Sequence, residues 1–515
     1  MLRRPRAVPP GGLSWRVELD WSGATAAAER LSAAWRDGPG GAFALFDTDG
    51  VRNTACGGLA SLEHGLAFTA DTPSRYASIS KHMLATCLLG QGVALDSALG
   101  MLLPGLPDPI GAVPLARALD MTGGLPDMME LQWQLGVPFT ASWTAEEVAV
   151  VLHRVAAACA PPGTEMAYSN TGWRLGQAVL ERQSGLSYRR LLQDRLFGPL
   201  GLGMVFPYDE AEPVPGLATG YWLAGDGWRR GRYGMHMSAS GGMAGSAAEL
   251  GRWAGALMAG RGPLRGILPR LAAPRFFADG RPSAYRLGLV ETALGGTRVL
   301  AHSGSLPGYR NHLLMAPERG VGVALLLNRD EDPLLPALQV MAALLGEDQP
   351  EPAPDIPPGL YAEAEGPAWA ELHPSAIEFM GAREGLLRAG SRVRSIPSTL
   401  EMDLAITEDG IEGMVGGVTR RLDRVQDGLR LDPALVGTWR EEVFGVTLSI
   451  AADGTARWPW MGLGQDTPLQ PLPGARALGD LRHLMWRHRP CLCLDGEGVL
   501  RVAGHRARVL RFRRA

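Results

Sequence analysis

Lysine is all but missing from this chain. Of its 50 basic residues, 49 are arginine and one, Lys81, is lysine. Cysteine is scarce too, with five residues (Cys56, Cys87, Cys159, Cys491, Cys493) spread over 515 positions. An odd, scattered set excludes a disulfide framework. Charge of either sign is not in excess: the formal net charge of −3 gives no electrostatic case for nucleic acid or an anionic membrane as partner. Long apolar runs are absent as well, and none approaches the roughly 20 residues of a membrane-spanning helix. The basic start, Met1 to Arg6, is followed by Ala7-Val8-Pro9-Pro10-Gly11-Gly12 where a secretory leader needs an apolar stretch. A cytoplasmic protein is the expectation.

A hydrophobic content of 46% and a charged content of 20% describe a globular protein, and its length calls for more than one core. Residues 1–15 read as a disordered arm and residues 24–36 as a first helix. Gly41 to Phe46, the turn Asp47-Thr48-Asp49-Gly50 and Val51 to Gly57 form a hairpin signature. A second β-rich stretch covers Tyr285 to Glu291, Val299 to Ser303, Asn311 to Met315 and Gly320 to Leu327. Between the two the pattern is helical, with an amphipathic helix over 144–158 opened by the Thr144/Glu147 capping box and another from Trp173 to Ser184. A helix from about Leu334 to Leu345 leads into the acidic, proline-rich stretch after Gly346, which reads as a linker. Beyond it the chain repeats itself. Gly359-Leu360-Tyr361 and Gly437-Thr438-Trp439 each open a segment of alternating pattern, and Arg420 to Val425 and Arg506 to Phe512 end the two copies alike. The division is 16–346, a linker at 347–357, and two small antiparallel β-barrels at 358–432 and 433–515.

Three short motifs carry chemistry. Ser78-Ile79-Ser80-Lys81 sets a hydroxyl and an amine one helical turn apart, so the two can touch. Lysine, unlike arginine, can be deprotonated when buried, which makes Lys81 a candidate base beside a candidate nucleophile. Among 23 serines a lone lysine falls three residues after one about once in 22 by chance, so the motif needs partners. Tyr168-Ser169-Asn170 at a loop-to-helix junction reads equally as a helix cap. His302-Ser303-Gly304-Ser305 ends a strand, where a histidine is most often a satisfied core residue. The cluster His483, His488, Cys491, Cys493 matches no common zinc spacing, and Cys491 and Cys493 on one strand face read as structural. No metal or other cofactor is expected.

In that order, Ser78-x-x-Lys81, Tyr168-Ser169-Asn170 and His302-Ser303-Gly304 resemble the penicillin-recognising serine hydrolases, which include class C β-lactamases, DD-peptidases and related esterases. Tyrosine fills the second motif and histidine stands in place of the lysine of the third. The resemblance implies an α+β catalytic domain, an antiparallel sheet with helices, followed here by the two barrels, an arrangement similar to the D-aminopeptidase branch. It implies an acyl-enzyme on Ser78, with Lys81 as base, Tyr168 as proton relay and His302 holding Tyr168. It also implies that Asn170 orients the acyl amide and that the backbone around Gly304 and Ser305 supplies part of the oxyanion hole. The implied substrate is a small peptide, amide or ester from which an N-terminal D-amino acid is released, and the implied assembly is a homodimer. An esterase, D-amino-acid amidase, DD-carboxypeptidase or β-lactamase-like activity on the same site is the alternative, and an inactive scaffold the remote one. In that branch a loop of the last barrel offers an acid to the substrate ammonium. The matching region, Asp480 to Leu494, is short and basic here, and Asp480 is its nearby acid.

Overall fold

The computed structural model describes residues 18–353, 356–395, 400–459 and 464–515; the expected N-terminal arm and two residues of the linker lie outside them. The first helix, α1, spans Trp21–Ala33. It begins earlier than its alanine run because the Asp20 carboxylate accepts from the Gly23 amide at 2.7 Å and caps it. The hairpin strands β1 (Gly41–Asp47) and β2 (Gly50–Gly57) join four strands from much later in the chain: β3 (Val290–Leu294), β4 (Thr297–Leu306), β5 (Tyr309–Ala316) and β6 (Val321–Leu327). Their order is β3-β4-β5-β6-β1-β2, antiparallel throughout. Residues 285–289 do not extend β3 as their pattern predicts. Gly288 takes a left-handed conformation (φ 74°) and the Arg286 amide donates to Leu289 O, so the chain turns there.

Both faces of this sheet are covered, which is why β6 is one apolar run, buried at all seven positions. On one side Phe43, Leu45, Leu314 and Leu325 meet α1 and the C-terminal helix Leu334–Leu345. On the other, Ala42, Phe46, Leu313 and Leu326 meet the helical layer through Leu250 and Trp253 of the helix Ala247–Ala259. At the centre of that layer lies α2 (Lys81–Gly90), buried at nine of its ten positions, as an interior helix is.

The first copy of the repeat forms a closed eight-stranded barrel, Gly359–Ala362 through Val418–Arg424, shut by the Tyr361–Arg424 and Ala362–Asp423 pairs. The second copy has one strand more and does not close fully. It is a nine-stranded, nearly closed sheet whose end strands, Gln465–Pro468 and Gln470–Leu472, are neighbours in the chain but unpaired. Pro468 and Pro471 have no amide to donate across that gap. A separate hairpin, Leu481–His483 and Trp486–His488, leaves this second sheet. It docks on the catalytic layer through Thr140 Oγ1 to His483 Nε2 (3.0 Å) and edge-to-face contact of Trp486 with Phe139. Among the described residues no helix is long and apolar enough to cross a membrane.

Candidate active site

Ser78 sits in a 3₁₀ turn, Ala77–Ser80, that runs directly into α2. The turn is strained: Ala77 has φ 52°, a left-handed conformation costing a β-carbon-bearing residue about 1–3 kcal/mol and held only by its surroundings. Those surroundings are specific. Ser80 Oγ donates to Ala77 O and accepts from the Met243 amide, while Met243 O accepts from the Tyr76 amide. From below, β4 passes so close that a Cβ on Gly304 would lie 2.2 Å from Tyr76 O. Glycine at 304 is therefore a packing requirement of the Ser78 turn.

Lys81 Nζ, with no exposed surface, lies 2.9 Å from Ser78 Oγ, 2.8 Å from Asn170 Oδ1 and 2.7 Å from Ser240 O. A neutral amine has two N–H groups and one lone pair. Asn170 Oδ1 and Ser240 O are pure acceptors and take the two N–H groups, which leaves the lone pair facing the Ser78 hydroxyl. Burial drives Lys81 well below the ordinary lysine value, Asp127 opposes this, and Arg506 adds to it. Burial thus favours the neutral amine, and this geometry can present its lone pair to the Ser78 hydroxyl.

Asn170 is the first residue outside the helix Thr171–Ser184, but its side chain does not cap it. Its Nδ2 and its backbone amide both donate to Asp127 Oδ2 (2.9 and 2.6 Å). Asp127 in turn caps the helix Met128–Gln134 through Oδ1. The chain Lys81–Asn170–Asp127 is thus a single hydrogen-bonded rod that fixes Nζ. Tyr168 is buried, its hydroxyl hydrogen-bonded to Ser78, and Lys81 Nζ lies 4.9 Å from its ring centroid. Burial pushes its phenol up to about 12, against the pull of Ser78 and Arg506, so it carries its proton at neutral pH rather than being a phenolate.

His302 stands differently from its expected role. It is buried, with Nδ1 donating to Ser303 O (2.6 Å) and Nε2 accepting from the Tyr285 hydroxyl (2.9 Å). Tyr285, not His302, meets the edge of Tyr168. Burial holds His302 well below the usual histidine range, so it is a neutral prop one residue removed. Ser303, Gly304 and Ser305 face the cavity. The structure does not bring Asp480 there. Its carboxylate is bound by Arg487 (2.8 Å) and Arg482 (3.1 Å), which neutralise it outside the cavity lining.

The cavity, about 870 Å³, is lined by Ser78, Tyr168 and Asn170 on one side and by Trp486, His488 and Arg506 of the last β unit on another. The hairpin of the last barrel therefore reaches the site, although Asp480 does not. Arg506 is anchored at both ends of its peptide unit: its amide donates to Glu130 Oε2 and its carbonyl accepts from the Asp127 amide. Its guanidinium carbon lies 4.7 Å from the Tyr168 centroid. Glu130 lies 3.5 Å from His488 Nδ1, and burial raises it to about 8. Sequence reasoning missed Asp127, Ser240, Glu130 and Arg506. Asp127 was visible as a cap candidate ahead of Met128; the other three have no local signal.

Residues 27–345 match the family described as Beta-lactamase. A D-aminopeptidase of Gluconobacter oxydans (strain 621H) is 27% identical over 391 residues, 73% of this chain and 74% of its own. Among solved structures, the octameric penicillin-binding protein homologue from Pyrococcus abyssi aligns over 94% of this chain and 97% of that one, with a TM-score of 0.55 at 18% identity. D-amino acid amidase from Ochrobactrum anthropi SV3, complexed with D-phenylalanine, covers 63% of this chain and 98% of its own, with a TM-score of 0.54 at 24% identity. At these identities the structural likeness is one of fold.

Proposed function

This chain belongs to the beta-lactamase family, and from that premise we propose that it is a serine hydrolase releasing N-terminal D-amino acids from short peptides, amides or esters. The observation that carries the chemistry is the solvent-free Lys81 amine held between Ser78 Oγ and two obligate acceptors. The choice of D-amino-acid substrates is supported by the D-aminopeptidase and D-amino acid amidase among the similar proteins.

Lys81 accepts the Ser78 proton as Oγ attacks the carbonyl. The backbone amides of Ser78 and Ser305 take up the charge that develops on the carbonyl oxygen. Tyr168 hands its proton to the departing nitrogen and is refilled from Lys81, and the acyl-enzyme is then hydrolysed by water activated along the same path. Asn170 holds Lys81 through its oxygen and is anchored by Asp127. His302 steadies Tyr285, which backs Tyr168. In this reading residues 16–346 are the catalytic domain, 347–357 its linker, and 358–432 and 433–515 the units that wall the cavity, in a cytoplasmic homodimer.

The test is hydrolysis of D- and L-alanine p-nitroanilide by the wild type and by Ser78→Ala. The D isomer is cleaved faster and the variant is inactive on both. Equal or faster cleavage of the L isomer overturns the substrate assignment, and activity in Ser78→Ala overturns the mechanism.

A further inference from the structure

Three arginines beside Arg506 line the cavity, and what occupies them sets Arg506 apart. Arg310 is paired with Asp330 and Arg487 with Asp480, while Arg383 is exposed on the rim. Arg506 is half-buried, and among the described residues no carboxylate or carbonyl accepts from its guanidinium. Glu130, bound to its backbone amide, feels the charge of the side chain but accepts no hydrogen bond from it. The guanidinium carbon lies 4.7 Å from the Tyr168 ring centroid. A partly desolvated cation without a hydrogen-bonded counter-ion is a standing cost, which the ring offsets only in part. The peptide unit is nevertheless fastened to Glu130 and Asp127, so the fold holds this cation at the reacting centre.

We propose that Arg506 is the receptor for a carboxylate on the leaving group, so that the preferred substrates are dipeptides whose departing amino acid carries a free C-terminal carboxylate. The proposal rests on the D-aminopeptidase reading above and deepens it. Its side is set by the proton path. As Ser78 Oγ bonds to the carbonyl carbon and the C–N bond breaks, the nitrogen takes a proton from the Tyr168 hydroxyl, so it departs beside that ring. In a free amino acid the carboxylate carbon is two bonds from the nitrogen, roughly 2.5 Å. That places it within reach of a guanidinium stacked on the same ring, and the planar fork suits a carboxylate bidentately. A primary amide or an ester offers nothing to this group.

The experiment compares D-alanyl-glycine, D-alanyl-glycinamide and D-alanine p-nitroanilide on the alkaline plateau of the pH profile, in the full-length wild type and in Arg506→Gln. The wild type favours the acid over the amide by about 30-fold or more in kcat/KM. Arg506→Gln brings that ratio to within about threefold by slowing the acid at least about tenfold more than the amide or the p-nitroanilide, which lose alike whatever Arg506 contributes through Lys81 and Tyr168. Arg506→Lys recovers part of the ratio. A wild-type ratio near one overturns the proposal, as does a variant that slows all three substrates alike. A wild type that instead favours D-aspartyl over D-asparaginyl p-nitroanilide, with no acid-to-amide ratio, puts the carboxylate on the acyl side and also overturns it. Indifference between D- and L-alanine p-nitroanilide would sink the D-aminopeptidase reading, while the acid-to-amide ratio would still report on Arg506.

Discussion

Asp127→Asn probes the rod behind the base. Lys81 Nζ and the Asp127 carboxylate are joined through the Asn170 amide, by hydrogen bonds of 2.8 and 2.9 Å; with the amide itself the path is no longer than about 8 Å. At an effective dielectric of about 20, unit charges at that separation interact by about 2 kcal/mol, or roughly one and a half pKa units. Asp127 raises the Lys81 pKa, so removing its charge lowers it further. Because Lys81 works unprotonated, the acid limb of the rate profile moves to lower pH, by roughly one unit. Asparagine caps a helix as well as aspartate does, so Met128–Gln134 keeps its cap. The new amide nitrogen, however, meets two donors of Asn170, which costs about 1.5–3 kcal/mol in lost charge-assisted bonding. The assay is the rate of Ser78 acylation by a fluorophosphonate as a function of pH, beside a denaturant titration. An acid limb that stays in place, or moves to higher pH, refutes the coupling.

Tyr168→Phe leaves the ring that Lys81 and Arg506 flank but removes the relay, and amide turnover falls by about 10²–10⁴-fold; an activated ester, whose leaving group needs no proton, is slowed far less in the same assay. Gly304→Ala drives a methyl to 2.2 Å from Tyr76 O, and the backbone must yield, at about 3 kcal/mol or more. Thermal denaturation should fall, with acylation lost before the fold is. Glu130→Gln keeps the acceptor for the Arg506 amide. The folded pKa of Glu130, about 8, stands above the ordinary 4.5, so its contribution is fully present below the unfolded value and lost as pH rises through the folded one. The variant should flatten the decline of stability between about pH 4.5 and 8, and an unchanged profile would contradict that.

The parts of the site legible in the sequence were those bound by local geometry. Ser78 and Lys81 meet because three residues make a turn, and Thr144 with Glu147 closes a capping box as read. The helix Leu334–Leu345 is where its pattern put it. Strands β1 and β2 were legible as a hairpin, but not their place beside β6, which only the closed sheet shows. His302 was misdirected because its neighbour across the core, Tyr285, lies on a segment whose strand pattern gave way to a turn at Gly288. Ser240 acts through a carbonyl, which no side-chain motif can announce. Arg506 is one of 49 arginines and becomes singular only where the last β unit presses it onto Tyr168. Asp480 was chosen for its charge, and two flanking arginines spend that charge before any substrate could use it.

Because Lys81 is the only lysine in the sequence, labelling the protein with lysine carrying ¹³C at Cε gives a single side-chain resonance, and its pH titration by NMR reads the protonation of the base itself. The account predicts the chemical shift of a neutral amine across the neutral range, with a midpoint well below the ordinary 10.5. A resonance that stays that of an ammonium until it titrates near the ordinary value would contradict it.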